Sequence, residues 1–288
     1  MQIFIPCHNR SATTLSFIDH LIEHWPSYIP FSLILLDDGS TDGTSYLISS
    51  KWPNLRIHLL DGRQFWGGSL NAIQNLLLSQ CVLPFSSEDD PWVMIANDDI
   101  RYPPGCLEYA LEMIYDPNFQ FDILAPALVD GWGKVSFDVT TGRFLEHFSY
   151  GASNLAVTMS TFLRRSTWLQ AEPVPKGIPH YLSDYWFTHS LSCKGFRITT
   201  IPEFKVTTRS DTTRPSGPAG SGFLLRYYYW RKCVDPRSPD YLPAYITFTE
   251  RFSSEPCKFW RLLLLRFKFF CFTIFTDYHR EFIAALQV

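Results

Sequence analysis

The chain has few of the features that stabilise small secreted or zinc-bound domains. Its 288 residues contain seven cysteines, an odd number, at positions 7, 81, 106, 193, 233, 257 and 271. No C-x-x-C pair occurs and no histidine cluster lies beside the cysteines, so the spacing excludes a zinc site and a disulfide framework. We therefore expect most of these thiols to be buried small hydrophobic groups in a reducing compartment.

Long apolar runs, a leader and repeats are also missing. No uncharged apolar stretch reaches the roughly 18 residues of a membrane-spanning helix. Met1 is followed by a strand-like stretch without a basic leader region, which predicts no signal peptide. The absence of repeats excludes collagen-like and low-complexity chains. Together these absences favour a cytoplasmic protein.

Charge is sparse and unevenly distributed. Charged residues make up 18% of the chain, and the net charge of −3 gives no general reason to expect nucleic-acid binding. The 46% hydrophobic and 16% aromatic content argues against disorder. Residues 1–225 carry a net charge of −7, whereas residues 226–288 carry +4. The chain therefore combines an acidic body with a basic, aromatic tail.

Short apolar runs alternate with helix-length segments over the first 125 residues. The predicted buried strands are residues 3–5, 32–36, 55–60, 92–96 and 121–124. The predicted helices are residues 11–24, 42–50, 69–80 and 104–115, with Ser11 as a cap of the first and Pro104 in the first turn of the last. This order predicts an α/β fold, a mostly parallel sheet with helices on both faces, whose ligands bind at the carboxyl ends of the strands.

The pattern changes after residue 126. The sequence predicts a strand over 155–163, a helix over 181–194, a short strand over 198–201 and a loop over 208–222. We expect a catalytic domain at 1–225 and a basic, aromatic helical extension at 226–288.

Two acidic clusters directly follow predicted strands. Asp37-Asp38-Gly39-Ser40-Thr41-Asp42-Gly43-Thr44 could accept hydrogen bonds from a base and a ribose, or form a turn in which Asp42 caps the next helix. Asn97-Asp98-Asp99 could hold a divalent cation through oxygen atoms, or be a solvated turn. Both clusters fall at strand ends of one predicted sheet, which favours a shared site.

Together with two further segments, these clusters resemble the ordered signatures of family 2 glycosyltransferases, which have the GT-A fold. The segments that carry the resemblance are Ile5-Pro6-Cys7-His8-Asn9-Arg10, the Asp37–Thr44 cluster, Phe65-Trp66-Gly67-Gly68-Ser69-Leu70-Asn71 and Asn97-Asp98-Asp99. Tyr181-Leu182-Ser183-Asp184-Tyr185-Trp186-Phe187 resembles the acceptor-side helix of that family. The resemblance covers roughly residues 1–205, and the Phe-Trp-Gly-Gly stretch is closest to a rhamnosyltransferase-like branch.

The resemblance implies a role for each matched residue. Asp184 would be the catalytic base of an inverting transfer, and Asp99 would bind a divalent cation, Mg²⁺ or Mn²⁺. The implied donor-binding residues are Pro6, Arg10, Asp37, Asp38, Gly67, Gly68, Asn97 and Asp98. The donor would be a UDP- or dTDP-sugar, and the acceptor a hydroxyl of a glycan or lipid-linked molecule in cell-surface polysaccharide synthesis.

Two departures from the family pattern concern the base and the diphosphate. Ser183 stands where a Glu usually precedes the base, and the histidine that often follows the next strand has no counterpart near residue 207. Arg209 or Lys205 could meet the diphosphate instead, or lie in a solvated loop. Trp66 and Trp186 could stack on a sugar or pack in the core, and His180 could line the acceptor site or lie at the surface.

The tail predicts a basic amphipathic helix at 258–274. Its apolar residues would share one face, with Lys258, Arg261, Arg266 and Lys268 on the other half. This pattern is typical of an in-plane membrane anchor on the inner face of the cell membrane, and equally of a helix packed on the catalytic domain or on a second subunit as a homodimer. Arg226–Lys232 could instead close the donor site.

Two other functions fit parts of the sequence. A sugar nucleotidyltransferase shares the sheet plan, but it needs a glycine-rich basic loop after the first strand, and residues 6–10 are not one. A non-catalytic nucleotide-sugar-binding scaffold fits the two departures from the family pattern.

Overall fold

The computed structural model describes residues 1–79, 90–129, 151–153, 155–208, 231–253 and 258–286. Several predicted features therefore lie outside the described residues: Arg209, nearly all of the 208–222 loop, and positions 226–230 of the basic stretch.

Strands and helices alternate along the first half of the chain, as predicted. The strands are β1 (Gln2–Cys7), β2 (Ser32–Asp37), β3 (Arg56–Leu59), β4 (Trp92–Ala96), β5 (Ile100–Arg101), β6 (Ile123–Val129), β7 (Gly151–Ser153), β8 (Ser160–Arg164) and β9 (Ile198–Thr208). The helices are α1 (Ser11–His24), α2 (Thr44–Lys51), α3 (Phe65–Leu78), α4 (Cys106–Tyr115), α5 (Arg165–Leu169), α6 (Ser183–Ser192), α7 (Leu242–Phe252) and α8 (Lys258–Leu286).

Within the described ranges, nine strands form one sheet in the order β3-β2-β1-β4-β8-β6-β9-β5, with β7 paired to β9. The four strands β3, β2, β1 and β4 run parallel to one another. Beyond them β8 runs antiparallel to both β4 and β6, while β6 and β9 are parallel. The parallel half comes from the predicted βαβ units, and the mixed half from the more irregular second part of the chain.

The site lies where the winding of the sheet reverses. The chain moves outward from β1 to β2 and β3, and then returns to place β4 on the other side of β1. Strand β1 stays paired with β2 as far as Cys7, but its pairing with β4 ends at Phe4 opposite Ile95. Pro6 has no N–H to donate, and it lies beyond the last β1–β4 pair, where no hydrogen bond to β4 is required. The two strands diverge into a crevice, the position at which such sheets bind ligands.

Each face of the sheet carries its own apolar core. One core packs Ile3 and Ile5 of β1 against Phe17 of α1 and Leu107 of α4. The other packs Phe4, from the same strand, with side chains of α3, α5, α6 and α7. The alternation along β1 thus supplies both layers, and helices cover both faces as predicted.

Some sequence predictions about element ends are wrong. Strand β3 is half-exposed rather than buried, with Leu59 67% exposed, because it is the edge strand of the sheet. Ser11 does not cap α1 with its side chain; its own N–H donates to Asp42 of the neighbouring loop at 2.9 Å. Helix α4 begins at Cys106, so Pro104 precedes it.

The C-terminal extension contacts the body through α7. Phe252 packs edge-on against Trp186 at 4.9 Å between ring centroids, and Arg251 pairs with Glu172. Ala244 is buried in the same core as these aromatic residues. Among the described residues, no helix has the length and apolarity needed to cross a membrane.

Candidate active site

Arg10 links the first loop to the acidic cluster after β4. Its guanidinium lies 3.0 Å from Asp98 Oδ1 and 3.0 Å from Asp99 Oδ2. The two carboxylates follow β4 and the cation follows β1, so the ion pairs span the crevice between the diverging strands. Arg10 thereby sets the position of both acids before any ligand binds.

Asp98 is the buried member of this cluster. Its side chain is 3% exposed, and the hydroxyl of Thr14 in α1 donates to its Oδ2 at 2.7 Å. Burial raises the pKa of Asp98 to about 6, against the opposing effect of Arg10 and the Thr14 hydroxyl. Through its contacts with Arg10 and Thr14, Asp98 fixes the loop after β4 against the loop after β1 and against α1.

Asn97 and Asp99 offer oxygen atoms that the described protein groups do not use. Asn97 Oδ1 and Asp99 Oδ1 are buried and have no hydrogen-bond partner in the described part of the chain. A buried oxygen without a partner is costly, and a divalent cation bound by oxygen ligands would relieve that cost. The residues therefore fit the cation that the sequence predicted at Asp99, with Asn97 beside it.

The carboxylate of Asp37 builds the loop that follows β2. It is 1% exposed, and it accepts hydrogen bonds from the backbone N–H of Ser40 at 2.8 Å and from the hydroxyl of Ser45. Asp42 accepts from the backbone N–H of Thr44 at 3.1 Å, at the start of α2. The turn interpretation of Asp37 and Asp42 is therefore seen directly in the contacts, whereas the cap position of α2 is Gly43 rather than Asp42.

Asp38 organises a second loop, residues 62–65, beside the first. Its two carboxylate oxygens accept the backbone N–H groups of Gly62, Gln64 and Phe65 at 2.9 to 3.2 Å. Gly39, with φ of +66°, lies so close that an added Cβ would be 2.7 Å from the Gly62 Cα. Asp38 therefore places the start of α3, which carries the Phe-Trp-Gly-Gly stretch.

The loop after β1 is fastened to the loop after β2. The N–H of Asn9 donates to Ser40 at 2.8 Å, and its side-chain oxygen accepts the N–H of Thr41 at 2.7 Å. In return His8 Nδ1 lies 2.5 Å from the carbonyl oxygen of Asp38. Asn9 holds a φ of +51°, an unusual value for a residue other than glycine, which these bonds stabilise.

Asp184 is held by two side chains from distant parts of the sequence. It lies in the first turn of α6, where Trp66 Nε1 donates to its Oδ1 at 2.5 Å and the hydroxyl of Thr158 donates to the same oxygen. Trp66 Nε1 also lies 2.9 Å from Thr158 Oγ1, so the three groups are mutually bonded. Neither of the two bonds to the carboxylate uses Oδ2.

The surroundings of Asp184 raise its proton affinity. Burial raises the pKa of Asp184 above its ordinary value, and the hydrogen bonds from Thr158 and Trp66 oppose that rise. A carboxylate with a raised pKa is a stronger base, and it is fixed in orientation here by Trp66. These are the properties that a proton acceptor requires.

A short chain of contacts connects Asp184 with the acidic cluster. The N–H of Asn97 donates to the carbonyl of Met159 at 2.8 Å, and the preceding residue, Thr158, bonds Asp184. The structure thus brings the segments around Arg10, Asn97, Asp99 and Asp184 to one end of the sheet.

Gly67 and Gly68 are required by close packing within the protein. An added Cβ at Gly67 would lie 2.6 Å from the carbonyl oxygen of Ile178, and its N–H donates to Pro179 at 2.8 Å. At Gly68 an added Cβ would meet the side chain of Gln64 at 2.5 Å. The first contact fixes α3 against the segment that leads to α6, and so fixes Trp66 relative to Asp184.

The unusual Ser183 fits a buried position. It is fully buried, and its hydroxyl donates to the carbonyl of His180 just before α6. A glutamate side chain would be buried at the same place. His180 is half-buried and stacks on Tyr181 at 4.8 Å, and burial lowers its pKa.

Other candidates from the sequence lie in different surroundings. Trp186 is only 7% exposed and packs in the core, which leaves no open ring face for a sugar. Lys205 is exposed on β9, and its backbone N–H lies 2.8 Å from the Cys106 sulfur on α4. The sequence did not identify Thr14 or Thr158 as site residues, because nothing near them in the chain signals their partners.

A second group of potential metal ligands lies on α1, at His20, Glu23 and His24. The N–H of Tyr102 donates to His20 Nε2 at 2.9 Å, which places the ring proton of neutral His20 on Nδ1. Burial, with smaller effects from His24 and Arg101, lowers the pKa of His20 to about 4. Neither ring nitrogen of His20 then has a lone pair to offer, which argues against a metal centre.

Comparison with known proteins gives a family match and a similar curated protein from two strains. Residues 2–131 match the model of Glycosyl transferase family 2. Over 83 residues the chain is 30% identical to N-acetylglucosaminyl-diphospho-decaprenol L-rhamnosyltransferase of Mycobacterium tuberculosis, for which two strains match equally. That alignment covers 29% of this chain and 27% of the relative's length.

Solved structures with the same fold cover most of the chain. The mannosyltransferase PcManGT from Pyrobaculum calidifontis, in complex with GDP-Man and Mn²⁺, matches with a TM-score of 0.52 and 16% identity over 92% of this chain and 68% of that one. TarS 1–349 of S. aureus has a TM-score of 0.52 and 13% identity over 91% and 78%. GalNAc-T7 with UDP, GalNAc and Mn²⁺ has a TM-score of 0.51 and 10% identity over 72% and 43%. At these identities the likeness shows the fold, and it confirms the GT-A prediction.

Proposed function

Because residues 2–131 place this chain among the family 2 glycosyltransferases and its fold is GT-A, we propose that it is an inverting glycosyltransferase. It would transfer a sugar from a UDP- or dTDP-sugar to a hydroxyl of a glycan or lipid-linked acceptor, in cell-surface polysaccharide synthesis. The observation that carries the proposal is the oriented carboxylate of Asp184, held by Trp66 and Thr158 beside the acidic crevice. The rhamnosyltransferase relative supports a lipid-linked acceptor.

Asp184 would act as the general base. As the acceptor hydroxyl oxygen forms its bond to the anomeric carbon, its proton passes to the Asp184 carboxylate. The bond from the anomeric carbon to the diphosphate breaks on the opposite side, and the nucleotide diphosphate leaves with the electron pair. One displacement of this kind inverts the configuration. Trp66 keeps the carboxylate aimed throughout, since its indole N–H donates to Oδ1.

The donor would lie in the crevice between β1 and β4. Pro6, Gly67 and Gly68 are proposed near it, as are Asp37 and Asp38, which position the loops that border it. The guanidinium of Arg10 would meet the diphosphate end of the donor. Asp98 would contribute by holding Arg10 in position through their ion pair.

The unpaired oxygens of Asn97 and Asp99 are proposed to hold a divalent cation, Mg²⁺ or Mn²⁺. Such a cation would supply positive charge to the departing diphosphate. Two structural neighbours were solved with Mn²⁺, which supports this choice of ion.

A cytoplasmic location is proposed for the enzyme. All five cysteines within the described ranges are free, and Cys7 and Cys106 are buried, as a reducing compartment allows.

A panel of nucleotide sugars tests the proposed activity. Tight binding of one donor raises the apparent stability of the protein, so thermal shift with UDP- and dTDP-sugars, a dTDP-linked rhamnose among them, identifies the donor. Release of nucleotide with Mg²⁺ or Mn²⁺ and an acceptor is the expected second result. A protein that binds one donor tightly and turns over none with any acceptor would instead be a nucleotide-sugar-binding scaffold.

A further inference from the structure

The first half of α8 presents a row of large apolar side chains to solvent. These side chains are between 49% and 68% exposed. The exposed set is Phe259, Trp260, Leu263, Leu264, Phe267 and Phe270. We call this set the α8 apolar face. Single exposed apolar residues are ordinary on a protein surface, whereas six on one helix face mark an interaction site.

The face opposite this row is the one that packs on the protein. At 100° per residue, Leu262, Leu265 and Phe269 lie on the other side of α8, and they are half-buried. Helices α7 and α8 are in contact, and Glu250 of α7 pairs with Arg266. The six residues of the α8 apolar face therefore do not pack on the catalytic domain in the described part of the chain.

Charge on this segment has one sign. Residues 258–273 include four cations, Lys258, Arg261, Arg266 and Lys268, and no Asp or Glu. At 100° per residue, Arg261 lies about 60° and Lys268 about 40° beyond Leu264 around the helix axis, so both border one side of the apolar face. Arg266 lies at the other border, beside Phe259. An apolar face bordered by cations complements a surface that is apolar inside and anionic outside.

We propose that the α8 apolar face lies in the plane of an anionic lipid bilayer. Its aromatic and leucine side chains would enter the boundary between headgroups and acyl chains, and Arg261 and Lys268 would meet anionic headgroups. A second copy of the chain is a poorer occupant, because a two-fold interface would bring the same cations together without an acid from residues 258–273. The inference goes beyond the proposed function, since bilayer binding needs neither donor nor catalysis.

Vesicle sedimentation of the full-length protein tests the apolar part of this proposal. We expect binding to phosphatidylcholine vesicles that contain phosphatidylglycerol, and an affinity lower by at least about 100-fold in the double variant Leu264→Glu, Phe267→Glu, since two buried side chains are lost. The matched control is Leu59→Glu, Tyr46→Glu, which adds the same charge at residues of similar exposure on β3 and α2. The control should bind like the wild type; equal binding by both double variants would overturn the proposal.

The double variant Arg261→Gln, Lys268→Gln tests the contribution of the cations to vesicle binding. At about 1 kcal/mol for each cation near an anionic surface, this variant should bind phosphatidylglycerol vesicles about 30-fold more weakly. Its binding to pure phosphatidylcholine should be unchanged. An equal loss on both vesicles would contradict the role of charge.

Two measurements on the wild type remain informative if a variant misfolds. Addition of anionic vesicles should shift Trp260 fluorescence to shorter wavelength, and Trp260→Phe should lose that shift. Sedimentation velocity without lipid should give a monomer. A dimer that Leu264→Glu dissociates, with no vesicle binding by the wild type, would assign the face to a second copy and overturn the proposal. Donor turnover on a soluble acceptor should be the same in all these variants, so failure of the bilayer proposal is separable from failure of the enzyme proposal.

Discussion

At the scale of single residues, the proposed chemistry depends on the orientation and pKa of one carboxylate. Asp184 is positioned by an indole N–H and a hydroxyl that come from residues 118 and 26 positions away in the sequence. Burial raises its pKa, and the two hydrogen bonds lower it again. The proposed base is active only when ionised, so activity falls as the pH falls through the pKa of Asp184.

Replacing Trp66 by Phe should change both orientation and pKa. Loss of the indole N–H removes a bond that favours the charged form, so the pKa of Asp184 should rise and the acid limb of the kcat/KM profile should move to higher pH. We also expect a plateau rate about 10- to 100-fold lower, because the base is less well oriented.

The pH–rate profile of Trp66→Phe should be compared with that of Trp52→Phe. The Trp52 indole nitrogen has no hydrogen-bond partner among the residues that the structure describes, so its replacement removes no comparable bond. An unshifted acid limb in Trp66→Phe would show that the hydrogen bond does not tune the base.

Neighbouring acids after β4 should differ in function. Asp98→Ala should lower the free energy of unfolding by about 2 kcal/mol at pH values below the Asp98 pKa of about 6, because it leaves Arg10 and Thr14 without their buried partner; the loss should be smaller at neutral pH, where burial disfavours the ionised carboxylate. Asp99→Ala should cost less stability but remove the binding of Mn²⁺ in the presence of a nucleoside diphosphate. Urea denaturation and calorimetric titration measure the two effects. If Asp98→Ala lost the ion and Asp99→Ala kept it, the assignment of the metal ligand would be wrong.

Residue types and strand ends were predictable, but most partners were not. The sequence placed Asp37, Asp38, Asn97, Asp98 and Asp99 at strand ends, where the structure has them. It could not show that Asp38 accepts N–H groups from residues 24 to 27 positions further on. Such bonds depend on how two loops meet in space, and neither loop contains a local signal of the other.

At the scale of elements, the site depends on how α3 approaches the segment before α6. The two meet at Gly67, whose Cα faces the backbone carbonyl of Ile178. Trp66 is the preceding residue, so a shift of α3 here also shifts the indole N–H that Asp184 accepts. Periodicity predicted α3 from residue 69, four residues too late, because Phe65 begins the helix with a φ of +52°.

Gly67→Ala should therefore harm both stability and catalysis. Its Cβ would lie 2.6 Å from the Ile178 oxygen and 2.9 Å from Val174 Cγ1, so backbone must move, at a cost of about 1–3 kcal/mol. Gly177→Ala is the control, because its Cβ would meet the Thr247 hydroxyl, which can rotate away. Thermal unfolding and turnover check both variants; equal effects would mean that the close approach at Gly67 is not specific.

At the scale of the whole molecule, the catalytic body and the extension meet through α7. The sequence predicted a boundary at residue 225 from the change in charge, yet α7 contributes Ala244 to the same core as Trp168 and Trp186. Charge composition shows where the surface changes, but an apolar contact across the boundary depends on the three-dimensional packing. Helix α8, by contrast, leaves its apolar face exposed.

The acidic and basic residues of the chain lie in different parts of the molecule. Acidic residues gather at the crevice where β1 and β4 diverge, and the basic tail carries the exposed face of α8. Under the proposed function, the first would hold donor and cation, and the second would hold the enzyme near a lipid-linked acceptor.

A comparison of wild type with Asp184→Asn measures whether Asp184 takes the acceptor proton. Wild type and Asp184→Asn are assayed for nucleotide release with the donor that the panel identifies, with Mn²⁺ and acceptor present, and for donor binding by calorimetry. We predict a rate lower by at least about 10²–10⁴-fold in Asp184→Asn, with donor affinity nearly unchanged. Transfer at the wild-type rate by Asp184→Asn would exclude Asp184 as the base.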